Sequence, residues 1–167
     1  IDKDEFQKKF SPITVGEERY IWGYNDIDLF RQYLISTDSL INKPRLDILF
    51  TGTSHSPFIV KDSMGYHEKY TEELKKLTNR NDRIHFEKYQ RFYLTLYNVD
   101  DAYRILFNEF KKRPDFENTI FILTGDHPMT ELPIENAFTK YKVPMIIYSP
   151  KLKEAKHFEG FSSHLDI

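Results

Sequence analysis

The sequence predicts an α/β fold, built as a layered and mostly parallel sheet with helices on both faces. Three short apolar runs support this class and predict strands at about residues 46–52, 119–125 and 143–148. Segments in which apolar residues recur at helical spacing separate the runs, as expected when crossover helices connect parallel strands. Each run ends in a polar turn, so we expect the chemistry of this protein at the strand ends.

The elements before the first crossover are predicted from local signals. An irregular opening with Pro12 and Gly16 leads to a helix for which Asp26 is the expected cap. The pair Lys43-Pro44 ends that helical segment, because the residue before a proline disfavours helical dihedrals, and the first strand follows. A short amphipathic helix over about residues 66–77 is polar enough to lie on the surface.

The longest helix is predicted over residues 84–112. Asp100 falls on its apolar stripe, where a carboxylate is costly without a partner, so a structural hydrogen bond is preferred over a catalytic role. Arg113-Pro114 ends this helix, and a loop with a helical turn at about residues 135–141 separates the second and third strands. The stripe recurs at steps of three and four and is expected to pack on the sheet, through Phe86, Tyr89, Tyr93, Leu96, Tyr103, Leu106 and Phe110.

The composition limits the possible classes of protein. The chain has 167 residues, of which 40% are hydrophobic and 16% aromatic, and this suits one compact domain. A formal charge of -2 without a basic stripe gives no reason to expect nucleic-acid binding. The absence of cysteine excludes disulfides and thiolate metal sites, so a metal needs oxygen or imidazole ligands. Because the chain opens at Ile1 without methionine, we interpret it as a fragment of a longer protein.

The strongest candidate for a site is the adjacent pair Asp126 and His127, which follows the second predicted strand. A carboxylate beside an imidazole at a strand end suits a divalent metal. The alternative is an ordinary turn, in which the aspartate starts the turn and the histidine is solvated. The first strand ends in a turn that carries His55, for which the alternative is a turn histidine made rigid by Pro57. Since parallel strands place their carboxyl ends on one side, His55 and the pair are predicted to converge.

Several segments together resemble the carboxyl half of a sulfatase-type domain in the alkaline phosphatase superfamily. The match rests on the order and spacing of residues 118–127, 142–150 and 163–167. Trp22-Gly-Tyr-Asn-Asp26 and Thr53-Ser-His-Ser-Pro-Phe58 are similar to the lipoteichoic acid synthase branch, whose members transfer phosphoglycerol or related groups. The resemblance implies the carboxyl-terminal portion of an alkaline phosphatase-like fold.

The resemblance also implies roles for individual residues. Asp126 and His127 match metal ligands, for Mn²⁺, Zn²⁺ or Mg²⁺, or for Ca²⁺ in a true sulfatase. His55 matches a histidine that contacts the transferred phosphate or the leaving group. His164 is expected behind the metal ligands rather than among them, and Asp166 is expected to be structural. The remaining histidines are expected to be ordinary surface residues, namely His67, His85 and His157.

The function that the resemblance implies is metal-dependent transfer of phosphoglycerol, or a related phospho group, to or from a phospholipid or glycan of the cell envelope. It places the parent protein on the extracytoplasmic face of a bacterial membrane, with residues 1–167 as the C-terminal fragment of one sulfatase-like catalytic domain. The threonine nucleophile and a further acidic ligand would lie on an earlier strand, in a missing N-terminal half. Thr51, Thr53 and Thr124 are therefore interpreted as strand residues, and the isolated chain is predicted to be inactive.

Two other classes of function remain open from the sequence. A sulfuric ester hydrolase would share the segments around Asp126 and His164 but would carry a cysteine or serine sulfatase signature upstream. A non-catalytic binding module would keep the fold and would have a residue other than threonine, serine or cysteine at the nucleophile position. The sequence that precedes Ile1 would distinguish the three classes.

Overall fold

The structure is a computed structural model that describes residues 12–15, 20–41, 43–60, 65–133 and 136–167. The predicted α/β class is confirmed. The main elements are strands β1 (Pro12–Val15) and β2 (Tyr20–Tyr24), helices α1 (Asp26–Thr37), α2 (Tyr66–Lys76), α3 (Arg80–Lys88) and α4 (Gln90–Phe110), and strands β3 (Phe121–Thr124) and β4 (Met145–Tyr148). Short 3-10 turns lie at Asp38–Leu40, Phe116–Asn118, Thr139–Tyr141 and His164–Asp166.

The opening of the chain contains a strand pair where an irregular segment was predicted. β1 and β2 pair antiparallel, with a shift of register between Ile13 and Thr14. Strands of four and five residues with such an irregularity are too short for periodicity to reveal them. Pro12 is the first residue of its strand, a position where the missing N–H is tolerated. Gly16 lies outside the described residues.

The cap of helix α1 lies one residue before the predicted cap. Asn25 is the capping residue, because its side-chain oxygen accepts a hydrogen bond of 3.0 Å from the backbone N–H of Ile27. Asp26, the predicted cap, is instead the first helical residue and is fully buried. Both residue types cap helices well, so the sequence alone does not distinguish them. The assignment of Asp26 as cap is therefore wrong, and its burial needs another explanation.

The long helix predicted over residues 84–112 is two helices. Asn79 caps α3 by accepting hydrogen bonds from the backbone N–H groups of Asn81 and Asp82, so the helical region starts before Ile84. Tyr89 separates α3 from α4, with φ of -105° and ψ of 18°. No glycine or proline marks this break, so the sequence pattern runs through it without interruption.

The core lies between α4 and its neighbours. Ala102, Leu106 and Phe110 of α4 are buried against Phe30 of α1. The other end of α4 meets α2, where Tyr66 and Tyr70 pack on Leu94. The helix predicted over residues 66–77 is confirmed, although one of its faces is buried. Within the described part of the chain, no helix is both long enough and apolar enough to cross a membrane.

The buried face of α4 is rotated from the predicted stripe. Asp101 is buried and Asp100 is exposed, the reverse of the expectation from the sequence. The predicted stripe counted large apolar residues, among them Leu96, which is 45% exposed, and overlooked Thr95 and Asn98, which are buried. Successive residues lie about 100° apart around a helix. A rotation of the buried face therefore places Asp101, and not Asp100, inside the core. A structural partner for the carboxylate was expected, and the structure supplies one to Asp101.

Asp101 accepts hydrogen bonds from Tyr66 and Arg104, the first of which joins α4 to α2. The Tyr66 hydroxyl donates over 3.0 Å, and the Arg104 guanidinium donates to the other carboxylate oxygen. Burial by itself would raise the pKa of Asp101, but these two donors outweigh it and hold the pKa below its ordinary value. Burial and the same carboxylate raise the pKa of Tyr66 to about 12.

β3 and β4 form an antiparallel pair, in which Phe121 is opposite Tyr148 and Thr124 is opposite Met145. The strands predicted at residues 119–125 and 143–148 are thus confirmed, but the expected parallel pairing is wrong for this pair. α4 packs on one face of the pair as predicted, with the ring of Phe107 centred 4.8 Å from that of Phe121.

The strand predicted at residues 46–52 is absent from the structure, although its apolar composition is typical of a buried strand. Leu46, Ile48 and Phe50 are 86%, 83% and 78% exposed. A strand needs a hydrogen-bonded neighbour, and within the described residues none pairs with this segment. A groove of about 200 Å³ lies between residues 45–51 and β3, with Leu106 and Phe107 of α4 also lining it.

The Asp101 hydrogen bonds predict a pH-dependent contribution to stability. We expect Asp101→Asn to lower the free energy of unfolding by about 1–3 kcal/mol at pH 7. The neutral amide is a weaker partner than the carboxylate for the hydrogen bonds from Tyr66 and Arg104. The pKa of Asp101 is lowered in the folded state, so the contribution is present above the unfolded value near 3.9 and is lost as the pH falls through the folded value. Denaturant unfolding of both proteins at pH 7 and at about pH 3 measures this difference.

Asp100→Asn is the matched control, since it removes the adjacent but exposed carboxylate. It should change the free energy of unfolding by less than about 0.5 kcal/mol. Equal effects of the two substitutions at pH 7 would contradict the structural role of Asp101.

Candidate functional site

The predicted metal pair lies in a turn directly after β3. Asp126 and His127 are exposed, with 60% and 54% of their side-chain surface accessible. One carboxylate oxygen of Asp126 accepts a hydrogen bond of 3.0 Å from the backbone N–H of His127, which holds the turn closed. A Cβ at Gly125 would come within 3.3 Å of the carbonyl oxygen of His127 and 3.4 Å of Val143, so a side chain there would require these neighbours to shift by a few tenths of an ångström.

The orientation of the His127 ring leaves one nitrogen available to a metal. Its Nδ1 lies 2.8 Å from the carbonyl oxygen of Pro128, which only accepts, so Nδ1 carries the hydrogen and donates it. In the neutral ring, Nε2 then keeps its lone pair. A backbone carbonyl that fixes the tautomer in this way is a frequent partner of metal-binding histidines.

The distance between the two side chains tests whether they fit one ion. Nε2 of His127 and Oδ2 of Asp126 are 3.8 Å apart. Donors bound to one zinc-sized ion at about 2.0–2.2 Å each lie at most about 4.3 Å apart, so the pair fits a shared divalent cation. Within the described part of the chain, no group of three or more acidic or histidine side chains is arranged to hold a metal. A complete metal centre therefore needs ligands in addition to this pair.

The charge at the site favours protonation of the imidazole. The pKa of His127 is raised above its ordinary value, first by the hydrogen bond to the Pro128 carbonyl and then by the negative charge of Asp126. The same local negative charge that favours a proton also favours a cation.

His55 lies beside this pair, so the predicted convergence is confirmed. Its ring is centred 6.2 Å from that of His127, edge to face, although 71 residues separate them in the chain. The expected reason was wrong, because residues 46–52 do not form a parallel strand next to β3. His55 is instead held by a turn in which its backbone N–H donates to Gly52 and its carbonyl accepts from Phe58.

His164 completes the cluster of histidines at the end of β3. Its Nε2 lies 2.8 Å from the carbonyl oxygen of Gly125, the residue before the metal pair. The turn that carries it is fixed by Asp166, whose carboxylate accepts from the backbone N–H of Ser163 over 2.6 Å, as expected for a structural residue. That His164 acts behind the metal ligands, and is not one of them, remains a prediction.

The other histidines lie outside this cluster in the contacts that the structure gives. His67 and His157 are exposed, as expected. His85 differs from the expectation, because it is half-buried and its Nε2 lies 2.9 Å from the hydroxyl of Tyr93. It joins α3 to α4 and has a structural role.

Sequence reasoning missed Asp26 and Thr53 as neighbours of the site. The backbone N–H of Asp26 donates to the hydroxyl of Thr53 over 3.0 Å, and both residues are buried. Asp26 had been interpreted as a helix cap and Thr53 as a strand residue. A contact across 27 residues leaves no local pattern, so no sequence signal pointed to it.

Comparison with known proteins decides the family. The model of the sulfatase family matches residues 2–167, nearly the entire chain. The chain belongs to the sulfatase family. Among curated protein sequences, none matches this sulfatase-family chain at a significant level.

A solved structure has a similar fold. It is a crystal structure of a protein in the alkaline phosphatase superfamily from Vibrio parahaemolyticus, with a TM-score of 0.54 and 18% sequence identity. The similarity covers 87% of this sulfatase-family chain and 31% of the other chain. This sulfatase-family chain therefore spans about a third of the length of that protein, and at this identity the likeness concerns the fold alone.

The geometry predicts different effects of three substitutions on metal content. Asp126→Ala and His127→Ala should each lower bound metal severalfold, because each removes a donor of a shared ion. His55→Ala should leave metal content unchanged, since within the described residues His55 does not form a group of three possible metal ligands with Asp126 and His127. Elemental analysis of dialysed protein with Mn²⁺, Zn²⁺, Mg²⁺ or Ca²⁺ measures the stoichiometry.

His67→Ala is the matched control, because it removes an exposed histidine on α2. It should retain full metal content. Retention of metal in both Asp126→Ala and His127→Ala would contradict the assignment of the pair, and loss of metal in His55→Ala would make His55 a ligand.

Proposed function

We propose that this chain is the carboxyl-terminal part of a metal-dependent transferase of phosphoglycerol or a related phospho group. The transferase belongs to the lipoteichoic acid synthase branch of the sulfatase-like enzymes and acts on a phospholipid or glycan of the bacterial cell envelope. Its threonine nucleophile lies in the rest of the same catalytic domain, on the extracytoplasmic face of the membrane. The observation that carries the proposal is the meeting of His55 with Asp126 and His127 at the end of β3.

The three side chains divide the chemistry between them. Asp126 and His127 would hold a divalent metal together with ligands from the rest of the domain. Such a metal neutralises charge on the transferred group and lowers the pKa of a nucleophilic hydroxyl. His55 is beside the pair, where an imidazole donates a hydrogen bond to an oxygen of the transferred group or a proton to the departing alkoxide.

The groove beside β3 supports the existence of a further part of the domain. One wall of the groove is formed by the segment that carries the exposed apolar side chains of Leu46, Ile48 and Phe50. The other wall is formed at β3, where Ile120 and Ile122 are 68% and 45% exposed. Contiguous exposed apolar surface of this kind marks a region that another element covers. The solved structure with a similar fold is about three times as long as the matched region. We therefore propose that strands of the remaining domain pack here and convert residues 46–52 into a paired strand.

This completion of the sheet predicts a change in amide hydrogen exchange. In the isolated chain, amides of residues 46–50 should exchange rapidly, because within the described residues no strand pairs with them. In the full-length parent protein they should exchange at least about 100-fold more slowly, since each ladder bond must open before exchange. Mass spectrometry of peptides from both proteins measures the rates.

Amides in the middle of α4 serve as the internal control, because they are hydrogen-bonded in either case. Equally rapid exchange at residues 46–50 in both proteins, with α4 protected, would contradict the proposed packing.

A second candidate function is sulfuric ester hydrolysis, and the match to the sulfatase family model favours it. The pair Asp126 and His127 suits either reaction, because phosphate and sulfate esters are both negatively charged and a bound metal would neutralise that charge in either case. The segments around Trp22 and His55 favour the phospho-group transferase, by their similarity to the lipoteichoic acid synthase branch.

Turnover of a small panel of substrates distinguishes the two functions. The full-length parent protein, loaded in turn with Mn²⁺, Zn²⁺, Mg²⁺ and Ca²⁺, is assayed on a nitrophenyl phosphodiester, a nitrophenyl sulfate and a phosphatidylglycerol vesicle. We expect release of nitrophenol from the phosphodiester and of diacylglycerol from the vesicle. His55→Ala should lower kcat on the phosphatidylglycerol vesicle by about 100-fold or more, as expected when a departing alkoxide loses its general acid.

The isolated chain should have no activity on any of these substrates, since it lacks the proposed nucleophile. Preferential cleavage of the sulfate would instead support the sulfatase. Absence of turnover on all three substrates by metal-loaded protein would support a non-catalytic module and contradict the transferase.

A further inference from the structure

A buried carboxylate joins the start of α1 to the turn that carries His55. Asp26 has no exposed surface. Its Oδ1 accepts two hydrogen bonds, from the backbone N–H of Gly52 over 2.9 Å and from that of Thr53 over 3.0 Å. In return, the backbone N–H of Asp26 donates to the hydroxyl of Thr53. Three hydrogen bonds, two of them to a charged acceptor, therefore hold residues 52 and 53 against the helix.

The helix end that carries Asp26 is itself fixed to the centre of the molecule. The side chain of Asn25 donates to the buried side chain of Asn98 on α4 over 3.1 Å. A continuous set of contacts thus runs from α4 through Asn25 and Asp26 to Thr53, two residues before His55. The backbone N–H of His55 donates to Gly52, so the turn closes on the same anchored residue.

The other end of the turn is held by packing. Phe58 is buried and its ring meets that of Phe92 on α4 edge to face, with centroids 4.6 Å apart. Its φ of 57° lies in the left-handed region, which is unfavourable for a residue with a side chain. Such a conformation persists where the surrounding structure determines it, as the buried ring does here. His55 is therefore held between Asp26 of α1, which is linked to α4 through Asn25, and Phe92 of α4.

We propose that Asp26 is a positioning residue that sets the place of the His55 imidazole relative to His127 and the transferred group. The inference rests on the proposed function, in which His55 contacts that group. A displacement of about 1 Å in such a group lowers the rate by as much as about 100-fold without a change in the chemistry itself.

The hydrogen bonds specify which atom of Asp26 acts. Both donors from the turn meet Oδ1, whereas Oδ2 is buried and, within the described part of the chain, accepts no hydrogen bond. Burial of a carboxylate oxygen without a hydrogen bond costs free energy. An asparagine offers one oxygen in the same place, so Asp26→Asn should preserve the position of the turn, and Asp26→Ala should release it.

The test is a double-mutant cycle in the metal-loaded full-length parent protein, assayed by release of diacylglycerol from phosphatidylglycerol vesicles. Asp26→Ala should lower kcat by about 10- to 100-fold with metal content unchanged, and Asp26→Asn should restore kcat to within about threefold of the original protein. Because Asp26 acts through His55, Asp26→Ala should have no further effect in the His55→Ala background. Asp28→Ala is the matched control, since it removes a partly exposed carboxylate of the same helical turn that pairs with Arg31, and it should leave kcat unchanged.

Nuclear magnetic resonance of the histidine rings gives a second measurement that does not depend on activity. The His55 signal, assigned by its loss in His55→Ala, should shift in Asp26→Ala and keep its position in Asp26→Asn. The signal of His67 should not move in either variant.

The outcomes separate this inference from the proposed function. An undisplaced His55 signal in Asp26→Ala, or an equal loss of kcat with and without His55, would overturn the positioning role. If His55→Ala leaves kcat unchanged, the proposed function of His55 fails, while the ring signal still decides whether Asp26 positions it. Should Asp26→Ala not fold, Thr53→Val replaces it, because it removes one of the three hydrogen bonds and should shift the same signal to a smaller extent.

Discussion

Burial of one face of α4 is the constraint on which the rest of the described structure depends. Leu106 and Phe110 pack against Phe30 of α1, and Phe107 packs against Phe121 of β3. Each such side chain contributes about 1.5–3 kcal/mol when it leaves water. Since α1 and β3 are fixed to the same helix, the segment of His55, which Asp26 of α1 holds, and the segment that follows Thr124 are fixed relative to each other. The site lies where those segments meet.

Buried polar groups within this core set the orientation of α4 relative to α1 and α2. Apolar contacts tolerate sliding and rotation, whereas hydrogen bonds between buried groups have one geometry, and leaving a donor unpaired costs about 1–3 kcal/mol. Asn98 and Asp101 on α4 bond to Asn25 and Tyr66, so they set how α4 lies against α1 and α2. The buried polar groups continue through Asp26 to the turn of His55. Stability and placement of the site therefore depend on the same residues.

The candidate site has exposed side chains on a turn whose backbone is held in place. Asp126 and His127 are open to solvent, as a metal or substrate requires, yet the backbone N–H of His127 is held by the side chain of Asp126, and the turn leaves little room for a Cβ at Gly125. The pair provides two donors, and the chain spans about a third of the length of the solved structure with a similar fold. The apolar groove next to β3 and the need for further ligands at the pair are the two observations behind our proposal that further elements complete this site.

The sequence by itself determined the α/β class, the strands that became β3 and β4, and the candidate site residues, because these depend on local composition and on short motifs such as Gly125-Asp126-His127. The tertiary structure decided which carboxylate of α4 is buried, that no strand among the described residues pairs with residues 46–52, and that Asp26 serves the turn of His55 instead of capping a helix. Asp100 and Asp101 differ by one residue, and hence by about 100° around the helix, so only the neighbours of α4 distinguish them. Hydrogen bonds between residues far apart in the chain depend on how the elements pack, and no local pattern records that packing.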